Sequence, residues 1–343
     1  MINQQLAEIS NLSIVVAITL YVLALFGFSM DLARISQRKG DARLEAKERE
    51  LVSVGAGEKA SSGSGTVAAS AEAVAAQDEA AESRGGMTPL RFGFIMATVA
   101  AVLHAVGVIM RGIATARAPW ANMYEFAMTS TAVVMIAFLL FAIRRRDIRT
   151  LGTFVVGPVL TVMLLAQTIW IVPAAELTPS LRNSHWLYIH IGVAIAATAL
   201  SLLGAVIAGL QLAQARRERE VAAGTTDAWG PVGRIFARIP SSAQLESLSF
   251  RIHAFTFVCW TFTLIFGAIW AREAWGRAWG WDPKEVWTLV IWVLYAAYLH
   301  ARNTAKFRGS RAAWIALLGF LAVVFNYTIV NTVINGLHSY SGL

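Results

Sequence analysis

The chain has 343 residues, is 57% hydrophobic and only 15% charged, and its mean hydropathy is +0.57. That excludes an ordinary soluble domain and points to an all-α, polytopic membrane protein. The formal charge of +8 is then the mark of basic cytoplasmic loops, and no nucleic-acid partner is expected.

A bilayer core needs about 20 apolar residues per helix. Eight runs supply them, roughly 12–30, 90–110, 123–143, 151–172, 187–212, 252–270, 286–300 and 312–337. The first has no basic residue before it and several after it. It therefore reads as a retained first transmembrane helix (residues 1–30) and not as a cleaved signal peptide. Residues 31–88 begin with mixed charge and pass into a Gly/Ala/Ser/Glu tract with too little apolar bulk for a core. They are expected to form a cytoplasmic, largely disordered linker. Residues 89–343 make up the remaining transmembrane domain.

Basic clusters at Arg144, Arg145, Arg146 and Arg149, at Arg216, Arg217 and Arg219, and at Arg302, Lys306, Arg308 and Arg311 fall on one side of an eight-helix arrangement. That side is expected to be cytoplasmic, which leaves both termini and the loop at about 270–287 extracytoplasmic. The lone cysteine, Cys259, lies in an apolar run, so the chain has neither an internal disulfide nor a C-x-x-C pair.

The loop at 274–287 reads "AWGRAWGWDPKEVW". Part of it has a plain structural explanation: Asp282 to Glu285 have the pattern of a capped helix start with proline in the first turn. Tryptophan also collects at membrane interfaces. Neither accounts for the density, since seven of the twelve tryptophans lie between 260 and 292. A flat aromatic ligand held at the surface would use such a platform, with Arg272, Arg277 or Lys284 near its anionic groups.

Histidines add a second constraint. His190 near the start of the fifth span and His338 at the end of the eighth both fall on the side of the Trp loop. His300 ends the seventh span on the opposite side, about 20 Å deeper than Trp287. Imidazole is an axial ligand of heme iron, and two imidazoles make a six-coordinate site. Paired histidines also suit a di-heme b-type electron-transfer subunit, although such subunits usually keep them at matching depths on two helices, a pattern not clear here. A non-heme transporter is a more distant alternative.

"WGRAWGWDPKEVW" closely resembles the tryptophan-rich WWD signature of heme-handling proteins in cytochrome c maturation. "RAPWANMYEF" at 117–126, "SHWLYIH" at 184–190, "AIWAREAWG" at 268–276, "IWVLYAAYLHAR" at 291–302 and "VNTVINGLHSY" at 330–340 fit its CcsA/ResC branch, which is labelled CcsB in some bacterial lineages. The resemblance covers roughly 90–343. It implies the integral-membrane part of a System II cytochrome c synthase (heme lyase) complex in the plasma membrane, which exports heme b and attaches it to apocytochrome c at C-x-x-C-H. A System I heme chaperone shares the WWD loop and is the neighbouring alternative.

The same resemblance implies that His190 and His338 ligate heme iron on the outer side and that His300 serves a deeper heme site. Trp275, Trp279, Trp281 and Asp282 would form the platform. The implied partners are a CcsB/ResB-type membrane protein, which supplies the second deep ligand, apocytochrome c, and a thiol-reducing protein. His104 reads as a packing residue, and His185 and His253 fall outside the ligand pattern.

Overall fold

The computed structural model describes residues 2–55, 86–175, 184–224, 229–304 and 307–338, and these are helical with no strand among them. The helices are α1 (Gln4–Gly55), α2 (Pro89–Thr115), α3 (Met123–Arg144), α4 (Gly152–Ile169), α5 (His185–Ala222), α6 (Gly230–Phe236), α7 (Ser242–Trp275), α8 (Pro283–Asn303), α9 (Ser310–Tyr327) and α10 (Ile329–Thr332). A short 3-10 turn, Arg146–Leu151, leads into α4. The Gly/Ala/Ser/Glu tract expected to be disordered lies, at 56–85, outside the described residues. Its charged forerunner continues α1 as far as Gly55.

Seven of these helical segments are long and apolar enough to cross a membrane: 4–34, 89–115, 123–144, 146–169, 185–222, 242–275 and 310–332. The remaining expected span is α8. Its 21 residues form a helix packed between α7 and α9 that turns Tyr295 and Tyr298 inward, and its lower hydropathy comes chiefly from the polar residues at its two ends, Lys284, Glu285, His300 and Arg302. Its opposite face, Val293, Ala297 and His300, is exposed.

Local chemistry sets the helix starts. Thr88 and Asn122 cap α2 and α3 through their side-chain oxygens. Reciprocal capping boxes, Ser241 with Gln244 and Asp282 with Glu285, open α7 and α8. Helix α7 runs on to Trp275 and stops at Gly276, whose φ of 71° is the left-handed cap that glycine accepts without strain. The Trp-rich loop is therefore shorter than the sequence suggested. The last span also ends early, at Thr332, and a turn carries the chain to His338.

Two antiparallel helix pairs organise the bundle, each by setting large side chains against small residues. Between α1 and α2, a methyl on Gly93 would stand 2.9 Å from the Phe28 amide nitrogen. One on Gly107 would stand 2.8 Å from Ile14 Cδ1. The Ser10 hydroxyl donates across the same seam to the Gly107 carbonyl at 2.7 Å. Between α5 and α7, His190 rests on Gly267 and His253 rests on Gly204, with added methyls at 2.9 and 2.6 Å from the respective Cε1 atoms. Midway between them, Trp260 packs in one cluster with Ala197, and its Nε1–H donates to Ser201 Oγ at 3.1 Å. The layers fall at 190, 197 and 204 on α5 and at 267, 260 and 253 on α7, a step of nearly two helical turns each time.

Candidate functional site

A cleft opens among the ends of α3, α5, α7, α8 and α9 nearest the Trp loop. It follows α5 from His190 past Ala194 to Thr198, about 12 Å along the helix. Trp260 bounds the cleft there, and its walls are mostly apolar and aromatic, including Trp120, Phe126, Trp270 and Trp279. Two of the three expected ligand histidines, His190 and His338, line it.

Each of those imidazoles is oriented through Nδ1. His190 donates from Nδ1 to the Thr263 carbonyl at 3.0 Å. A carbonyl oxygen can only accept, so the Nδ1 of this ring carries the hydrogen, and the lone pair of the neutral ring is on Nε2. His338 Nδ1 stands 2.7 Å from Asp282 Oδ1, and the same tautomer follows. An imidazole held from behind by a carbonyl or a carboxylate is the usual arrangement of a metal-ligating histidine.

Trp270 joins the two rings. It stacks on His190 with centroids 6.1 Å apart and planes 10° from parallel, and it meets His338 edge-on at 5.7 Å. It is almost fully buried. The platform expected from Trp275, Trp279 and Trp281 did not include it. Of those three only Trp279 lines the cleft. Trp275 flanks His338 at 4.9 Å, and Trp281 stands 72% exposed, edge-on to Trp279. Trp281 also has a φ of 60°, an uncommon conformation for a bulky residue.

Asp282 is the junction of the site. Its Oδ1 accepts from the Lys284 amide and from His338, and its Oδ2 accepts from the Leu337 amide at 2.7 Å. Burial alone would raise this carboxyl. The hydrogen bonds from His338 and from the Leu337 and Lys284 amides outweigh it and hold the group below the usual carboxylate range. Glu285 accepts from the amides of Gly280 and Asp282 and so folds the loop back on the start of α8.

Of the expected cationic residues only Lys284 reaches the cleft wall, where its amine donates to the Asn326 carbonyl at 3.0 Å and to Asn331 Oδ1 at 2.6 Å. Arg277 lies over Gly280, 3.8 Å from Glu285, and Arg272 is exposed at the end of α7. His300 is at the far end of α8, away from the cleft, on the exposed face. His185 is exposed at the start of α5. His104 and His253 are fully buried among helices, with Tyr21 beside the first and Tyr295 and Tyr298 beside the second.

A buried ion network fixes the cleft's other wall. Glu125, in the first turn of α3, takes Arg111 at 3.1 Å and Arg117 at 2.7 Å, and it also accepts from the Ala121 amide. The two guanidiniums reach on to the carbonyls of Val172 and Ala175. The segment so clamped carries Trp120 into the cleft, tilted against Tyr188 of α5.

The chain matches the family model described as cytochrome C assembly protein over residues 120–338, which spans both cleft histidines and the Trp loop. A protein named cytochrome c biogenesis protein CcsA from Prochlorococcus marinus is 32% identical over 72% of this chain and 83% of its own length. Proteins of the same name from Guillardia theta and a Synechococcus species are 38% and 39% identical over about half of this chain. Those two matches span 58% and 57% of the relatives' own lengths. With the cleft, its histidine pair and its tryptophans all inside the matched region, this multi-pass helical membrane protein belongs to the CcsA family of cytochrome c assembly proteins and has a role in cytochrome c biogenesis.

Proposed function

We propose that the chain binds heme b as cargo between His190 and His338 and presents it for covalent attachment to apocytochrome c on the outer face of the plasma membrane. The observation that carries this reading is the pair of histidines lining one aromatic cleft, each fixed through Nδ1 so that the neutral ring's lone pair is on Nε2. The residues fit the group: the cleft is open at the loop end and largely apolar, and a porphyrin would meet Trp270 and Trp279. Heme supplies the vinyl groups, to which the two reduced thiols of C-x-x-C-H add. Each sulfur bonds one vinyl carbon and its hydrogen ends on the other, with no net oxidation. The chain contributes position. His190 and His338 hold the iron, the aromatic walls hold the plane and exclude water, and Lys284 stands where it can neutralise a propionate.

In this reading the Trp loop is extracytoplasmic and His300 belongs to a separate, deeper heme site. An imidazole on the outward face of a membrane helix is costly against lipid. The Val293–Ala297–His300 face of α8 is accordingly where a CcsB/ResB-type membrane partner packs and offers the second deep ligand. A thiol-reducing protein keeps the apocytochrome cysteines reduced.

The test is chemical rescue. His190→Gly and His338→Gly should each lose holocytochrome formation in a C-x-x-C-H reporter strain. Millimolar imidazole should restore part of it, because a small base can fill the vacated iron position. His185→Ala, exposed and outside the cleft, should be near normal untreated. Two glycine variants that are inactive and unmoved by imidazole would remove the ligand assignment.

A further inference from the structure

We infer that His338, and not His190, is the iron ligand that the incoming apocytochrome's histidine displaces. The inference rests on the proposed function and adds to it which of the two bonds breaks.

The two histidines are held very differently. His190 lies in the second turn of a 38-residue helix. Its Nδ1–H is donated to a main-chain carbonyl of the facing helix, its ring lies within 10° of parallel to Trp270, and the space between it and Gly267 is too small for a methyl. Moving that ring away from the iron means moving α5 against α7, and the Trp260–Ala197 and His253–Gly204 layers oppose that shift.

His338 is on a turn beyond α10, not in a helix. Its Nδ1 bond goes to a side chain, Asp282, and its neighbours Trp270 and Trp275 meet it edge-on without stacking. The turn lies on Asp282 through the Leu337 amide as well, so both of these bonds end on one carboxylate, whereas those of His190 are built into a helix pair. Asp282 would still cap α8 through Lys284 with both bonds broken, so the loop need not unfold.

Access runs the same way. The His338 side chain is 17% exposed, and the exposed Trp281 and Leu337 adjoin the residue that holds it. A peptide arriving at the loop end can reach His338. In the exchange one iron–nitrogen bond to His338 breaks and one to the peptide histidine forms, with His190 retained on the opposite side. Iron keeps six ligands and its oxidation state.

The experiment uses the full-length chain with its membrane partner, loaded with heme, and a Ser-x-x-Ser-His peptide that can ligate iron but cannot form thioethers. Spin state is read by absorption and resonance Raman spectroscopy. Both His190→Ala and His338→Ala should be high-spin, and imidazole should return each to low-spin, which shows that the fold is intact. If neither variant is high-spin, the proposed ligand pair itself is wrong.

With both high-spin, the peptide should convert His338→Ala to low-spin and leave His190→Ala high-spin. In the latter the peptide histidine takes the place of His338 and the opposite position stays vacant. Conversion of His190→Ala alone, of both variants or of neither overturns the inference. A second variant keeps both histidines. Asp282→Asn should let the peptide compete at about tenfold lower concentration, the worth of one charge-assisted hydrogen bond. An unchanged or higher concentration would count against His338 as the ligand that leaves.

Discussion

Gly267 of α7 and His190 of α5 are a matched pair: the glycine has no side chain where the imidazole lies, and a methyl there would stand 2.9 Å from Cε1. The ring position is thus constrained by a cleft residue that has no side chain of its own. Gly267→Ala should push the imidazole by up to about 1 Å and lower holocytochrome yield on the order of a hundredfold, the usual cost of such a misplacement. A reporter-strain assay beside a membrane-protein abundance blot would check it, and a full yield at normal abundance would contradict it.

Gly204 and His253 repeat the relationship four turns away, with the helices exchanged. Gly204→Ala should destabilise the bundle by about 1–3 kcal/mol through overpacking. His253→Ala should relieve the clash, so the double variant should melt above the Gly204→Ala single. Thermal unfolding in detergent measures this, and strict additivity of the two effects would refute the pairing.

Asp282 separates two duties by substitution. Asp282→Asn keeps a capping oxygen and should leave the melting temperature nearly unchanged while weakening the hold on His338. Asp282→Ala loses the cap as well and should cost about 1 kcal/mol more. If the two variants melt alike, the cap at α8 contributes little and the account of the loop needs revision.

Glu125 neutralises two guanidiniums in the protein interior. Glu125→Gln should destabilise by about 3–5 kcal/mol, because it leaves buried charge without a counter-ion. Loosening of the Trp120 segment should appear as faster proteolysis between Arg117 and Asn122. A stability loss below about 1 kcal/mol would mean that Arg111 and Arg117 are satisfied by the Val172 and Ala175 carbonyls alone.

On the exposed face of α8, a cysteine at Ala297 should cross-link to a co-expressed membrane partner, and His300→Ala should give heme-poor protein. An unreactive Ala297 position and normal heme content would take this face out of the mechanism.

The bundle was legible in the sequence because lipid demands long apolar runs, and the capping box at Asp282–Glu285 was legible because its pattern is local. The histidine pair could be reached through the resemblance. Trp270 was not singled out, since nothing in "AIWAREAWG" tells which tryptophan turns inward, and burial depends on the helix opposite. The dual role of Asp282 was hidden for the same reason: its partners Leu337 and His338 are distant in the chain. The one signal that could have located the site's supports is the recurrence of small residues facing large ones every seven positions, Gly204 and Ala197 on α5 and Gly267 on α7.

That recurrence has a consequence for how such a chain can vary over evolutionary time. An inserted or deleted residue between 190 and 204, or between 253 and 267, would turn every later layer by about 100° and present bulk to bulk. Lineages descended from this sequence should therefore gain and lose residues outside these two intervals more readily than within them. The two fourteen-residue intervals should keep their length even where nearly every side chain within them has been exchanged.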